Sequence, residues 1–217
     1  GLYAYAQLDA LPQLLVLTQS QGSAPRLSLG APADAALVTA PKGEFSYATV
    51  PGPVLSSENN GLGGKPIEAS QLADAKGKLL VSISNVVEGV VRSDLADNLL
   101  ANEGMRQAHI QQILTLVGPA AYAGVEIAYS GIDPALRVDF TTFVQDLAQA
   151  LHGVNKALAV RVDEPKIGNP WDTGAYDWRA IGQAADWVRI PAMADPAAYA
   201  PGGDMDVLLD WATGEVE

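Results

Sequence analysis

The chain has 217 residues, 48% of them hydrophobic and 18% charged. That is enough apolar material for one large packed domain or two small ones, and too much for a disordered chain. Its 25 acidic against 13 basic residues leave a formal net charge of -12, which keeps the protein soluble and repels phosphate backbones and anionic lipid, so nucleic acid is excluded as a partner.

Cysteine is absent and only His109 and His152 supply imidazole. Disulfides, thiolate metal sites and a cysteine nucleophile are therefore excluded, and neither a metal nor a cofactor is expected. The longest apolar runs, such as 78–83, fall far short of the roughly 20 residues that span a bilayer, so no membrane insertion is expected. The chain starts at Gly1, with no basic start leading into an apolar stretch, and reads as a mature or excised piece of something longer.

Residues 1–77 form an irregular β-rich portion, with short strand-like runs at 14–18, 36–39 and 45–49 among Gly, Pro and Ser. The stretch 56–64 offers only Leu62 for packing and reads as a mobile surface loop. From residue 78 to 217 the pattern changes to short apolar runs alternating with amphipathic segments, the signature of parallel strands joined by crossover helices. The expected elements are a strand over 78–85, helix over 94–117 divided at Gly104, a strand over 123–129 and a helix over 140–151. A strand over 156–162, a helix over 178–185, a strand over 187–192 and a helix over 205–212 complete the series.

Four pieces of this series carry a resemblance: Leu99 to Leu114, Tyr122-Ala-Gly-Val-Glu-Ile-Ala-Tyr-Ser130, Phe140 to Val160, and Gly174 to Val188. In this order, over a little more than half the chain, they resemble the family-eighteen glycoside hydrolases, the chitinase-like barrels that include spore-cortex members. The resemblance implies an α/β fold of the TIM-type (β/α) barrel, with residues 1–77 holding the first strands. The last two strands are not evident in the chain, since a full barrel of this type takes about 250 residues. Such an incomplete barrel would expose two sheet edges, to be covered by copies of the chain or by further domains of a longer parent.

The family's catalytic strand usually reads Asp-Gly-x-Asp-x-Asp-x-Glu, ending in the acid that protonates the leaving oxygen. Aligned on Gly124, its carboxylates correspond to Ala123, Glu126, Ala128 and Ser130. Neither a methyl group nor an ordinary hydroxyl donates a proton at neutral pH. Glu126 shares a face with Ala128 and Ser130, but it lies roughly 13 Å deeper than the strand's end at 3.3 Å per residue. It reads as a buried group in need of a lysine or arginine partner from another strand. The sixth strand's usual Met-x-Tyr-Asp corresponds to Pro191, Met193 and Ala194, a second loss of polar chemistry.

The resemblance thus implies a noncatalytic, glycoside hydrolase-like domain of an exported bacterial surface protein, extracellular or on the cell surface, serving as a structural or glycan-contacting module. Cell-wall glycan is the expected ligand, with Trp171, Tyr176 and Tyr129 as candidate sugar contacts. Two readings stand beside it. One is an active hydrolase of N-acetylated glycan that has moved its acid to Glu126, Asp133 or Glu164; Asp139 and Asp163 also lie near strand ends. The other is an assembly module of a filament or surface layer that binds no sugar. Serine catalysis at Ser130 is disfavoured, because both histidines fall on helices outside the barrel.

Overall fold

The computed structural model describes residues 2–5, 28–30, 47–58, 61–64, 78–118, 122–168, 170–193 and 195–216. The expected strands over 14–18 and 36–39 lie outside these residues. In chain order the strands are β1 (Leu2–Tyr5), β2 (Ser28–Gly30), β3 (Tyr47–Ser56), β4 (Gly61–Gly63), β5 (Lys78–Ser84), β6 (Val86–Val87), β7 (Val90–Val91), β8 (Gly124–Ala128), β9 (Ala157–Arg161) and β10 (Trp187–Pro191). The α-helices are α1 (Ser93–Leu100), α2 (Glu103–Val117), α3 (Arg137–His152), α4 (Trp178–Ala184) and α5 (Asp204–Val216).

Seven strands run parallel in the order β1-β10-β9-β8-β5-β3-β2, with β4 antiparallel on β3. From β5 onward helices connect the successive strands of the sheet, and the sheet curls until its two end strands, β1 and β2, come into contact. This is a partial TIM-type barrel, an α/β fold with helices outside a parallel sheet. Among the described residues no strand follows β10. One expected edge is nevertheless closed: β1 lies parallel along β10, with Leu2 opposite Val188 and Tyr5 opposite Pro191. The chain's own first strand thus satisfies the backbone groups that an open edge would leave unpaired.

Side chains alternate across each strand and sort by face. Val81, Ile83, Val125, Ile127, Leu158, Val160, Val188 and Ile190 are all fully buried, forming one core with Phe140, Phe143, Leu147 and Ile181 of the helices. The opposite face carries the smaller and polar residues Ser82, Glu126, Ala159 and Arg189. Gly124 is required by contact rather than by conformation: a Cβ there would sit 2.0 Å from the Ala157 carbonyl oxygen of β9. Gly52, at the irregularity of β3 between Pro51 and Val54, meets the Ser82 carbonyl oxygen in the same way at 2.5 Å.

Three elements differ from their expectations. The stretch 56–64 is no free loop, because β4 folds back on β3, pairing Leu55 with Leu62 through main-chain bonds that need no apolar side chains. The helical break comes at Asn102 rather than Gly104: the Asn102 side chain accepts from the Met105 amide at 3.0 Å and caps α2. A small hairpin, β6 with β7, follows β5 and turns at Glu88 and Gly89, both at positive φ (50° and 80°), the geometry of a two-residue hairpin turn.

Candidate functional site

The C-terminal ends of the parallel strands form the barrel mouth, where such folds place their chemistry. Below it, on β8, Glu126 is 3% exposed and ion-paired with Arg189 of β10; it also accepts from the Ser82 hydroxyl at 2.8 Å. Arg189 further donates to the Thr49 hydroxyl of β3 at 3.1 Å. Side chains from β3, β5, β8 and β10 can meet this way only across the barrel interior. Glu126 therefore belongs to a buried polar core, and as a displaced acid it is corrected: its carboxylate is occupied and lies beneath the mouth.

Beyond Glu126, Ala128 is fully buried and Ser130 partly exposed at the strand's end. The backbone here is held from several sides. Asn85, fully buried after β5, accepts from the Ser130 amide at 2.9 Å and donates to the Ser130 carbonyl at 2.8 Å. Gly131, at φ 69°, donates its amide to Asp163 at 2.8 Å. The Tyr176 hydroxyl donates to the Tyr129 carbonyl at 2.7 Å, and the Tyr129 hydroxyl lies 2.5 Å from His109 Nε2 of α2. Four side chains from separate parts of the chain thus fix the turn 129–131.

Those contacts correct two candidate sugar platforms. Tyr129 is fully buried, stacked near Phe143, and Tyr176 is 3% exposed with its ring edge-on to Phe140. Neither ring has a face free to stack on a sugar. Burial pushes both phenols well above their ordinary range, and the Asp163 carboxylate adds to that push on Tyr176. Trp171 stays half-buried, its ring 6.4 Å from that of Trp211 on α5, so part of its surface remains open. Arg137 ties its loop to α3 by donating to the Thr173 hydroxyl and the Gly174 carbonyl.

The remaining acids are scattered. Asp133 is exposed and accepts from the Ala135 amide at 2.9 Å, capping a short 3-10 turn (Pro134–Leu136). Glu164 is exposed, with its charge felt by Tyr199. Asp139 pairs with Arg106 at 3.1 Å on the helical layer. Pro191 ends β10; Met193 is 8% exposed and accepts the Tyr199 hydroxyl on its carbonyl at 3.0 Å. Ala194 lies outside the described residues. The carboxylate that does reach the β8 turn is Asp163, just past β9.

Sequence reasoning missed Asn85, His109 in its role beside Tyr129, and Arg161. The last closes β9, partly exposed, in register with Arg189 and one residue beyond the Ile127–Val160 pair, hence level with Ala128 on the interior face. Strand alternation from Ala159 would have aimed it inward; without the register, nothing told it from a solvated arginine. Among the described residues no group of His, Cys, Asp and Glu is arranged to hold a metal ion.

No family model matches the chain. A Bacillus subtilis (strain 168) protein named as an uncharacterized glycosylase, YvbX, is 28% identical over 142 residues, covering 61% of this chain and 41% of its own length. The chain thus spans about two fifths of that relative. Among solved structures, the spore cortex-lytic enzyme SleL of Bacillus megaterium matches 99% of this chain and 47% of its own at 15% identity, with a TM-score of 0.65. A chitinase from Chromobacterium violaceum matches 99% of this chain and 64% of its own at 21% identity, with a TM-score of 0.66. The fold is that of the family-eighteen glycoside hydrolases.

Proposed function

We propose that this glycoside hydrolase-like barrel is a noncatalytic domain of an exported bacterial surface protein, a structural or glycan-contacting module. One observation supports the reading: along β8 the only carboxylate is neutralised by Arg189 inside the barrel, and Ala128 and Ser130, which follow it toward the mouth, carry no carboxyl group. Cleavage of a glycosidic bond needs such a donor within hydrogen-bond reach of the leaving oxygen. The names of the relatives, a glycosylase, a spore cortex-lytic enzyme and a chitinase, support cell-wall glycan as the partner and placement outside the cell. No described helix is long and apolar enough to cross a membrane.

A second reading has its own observation. Asp163 reaches the turn after Ser130, so a hydrolase with a displaced acid would use Asp163 sooner than Asp133 or Glu164. Incubation with chitin oligomers and with peptidoglycan separates the two. The expected outcome is no release of reducing ends. Release that disappears in Asp163→Asn, Asp133→Asn or Glu164→Gln would establish the hydrolase instead.

A further inference from the structure

We infer that the barrel mouth selects an anionic saccharide, with Arg161 as the group that meets its acid. The inference deepens the glycan-contacting reading above and rests on it. Among the described residues, Arg92, Arg106, Arg137, Arg179 and Arg189 each have a carboxylate partner, in Asp94, Asp139, Asp177, Glu215 and Glu126. Arg161 has none, in a chain with almost two acids for every base. A guanidinium half-buried at the mouth of a barrel, its charge felt by the Tyr176 phenol but with no carboxylate partner among the described residues, is a group able to meet an external anion.

Its surroundings fit that use. Ala128, beside it on β8, is a methyl group, and Ser130 brings a hydroxyl able to donate. The more buried Arg189, in register with Arg161, already has Glu126. The nearest competitor along the chain, Asp163, is turned into the β8 turn, where Oδ2 accepts the Gly131 amide. With no carboxyl group at Ala128 or Ser130, nothing at these two positions repels an acid group beside Arg161. The acid is a carboxylate or a phosphate on a sugar, since the guanidinium fork fits both.

Calorimetric titration tests the assignment with four probes: chitotetraose, a tetramer alternating N-acetylglucosamine with N-acetylmuramic acid, a hyaluronan tetramer and glucose 6-phosphate. They present no charge, a lactyl carboxylate, a uronate and a phosphate. At low salt at least one anionic probe should bind about tenfold more tightly than chitotetraose, as one charge-assisted pair allows. Arg161→Gln should abolish that advantage without changing chitotetraose binding, Arg161→Lys should keep part of it, and the best anionic probe names the source. Ser130→Asp, which sets a carboxylate beside an intact Arg161, should abolish it too and serves if Arg161→Gln fails to fold. Equal binding of chitotetraose, a preference that survives both variants, or no binding of any probe overturns the inference. Unselective binding without cleavage overturns it and leaves the noncatalytic reading standing; anion selection with cleavage does the reverse.

Discussion

At the scale of single residues, the turn 129–131 is fixed by side chains whose own surroundings are tuned. His109 is fully buried against Tyr129, and burial holds its imidazole down to about 4, with Gln112 pulling the other way. The unfolded chain titrates this group near 6.5. Between those values the unfolded state binds a proton that the folded state refuses. The stability that neutral His109 contributes is therefore present above about pH 6.5 and lost as pH falls toward 4. Melting curves should show a loss of about 1.4 kcal/mol per pH unit across that window from this group. In His109→Gln the slope should flatten; an unchanged slope would assign the acid sensitivity to other groups. The Glu126–Arg189 pair is a different case: two charges in a barrel interior pay desolvation that their attraction roughly offsets, so the pair's contribution is to orientation more than to stability.

At the scale of elements, the contact between β8 and β9 depends on one missing side chain. With the Ala157 carbonyl 2.0 Å from where a Gly124 Cβ would sit, alanine must push the strands apart at the foot of the strand that ends at Ala128. Gly124→Ala should cost about 3 kcal/mol in denaturant unfolding, the upper range for overpacking a tight core. A cost under about 0.5 kcal/mol would mean that the strands can separate freely. Gly124 is thus explained by packing against β9. Element boundaries were legible in the sequence wherever periodicity met a core, as for α3, where Phe140, Phe143, Val144, Leu147 and Leu151 are all fully buried. They were illegible where main-chain bonds alone decide, as in β4, or where a cap decides, as at Asn102.

At the scale of the whole molecule, the chain closes its incomplete barrel with its own beginning. Among the described residues no strand follows β10, and β1 covers the edge of β10. Deleting residues 1–5 should uncover that edge and promote self-association, read by light scattering after size exclusion, because unpaired strand edges recruit other strands. A truncated chain that stays monomeric with an unchanged melting temperature would show that β1 contributes nothing to closure. What the amino-acid sequence determined by itself was the succession of strands and helices, the face each side chain takes, and the absence of a carboxyl group at Ala128 and Ser130, since local periodicity and residue identity are properties of the linear chain. Only the tertiary structure decided that Glu126 meets Arg189, that Tyr129 and Tyr176 are walled in, that Asp163 rather than Glu164 reaches the β8 turn, and that Arg161 has no carboxylate partner among the described residues. Each of these depends on strand register and on contacts between residues tens of positions apart, and such distances are set by how the sheet curls.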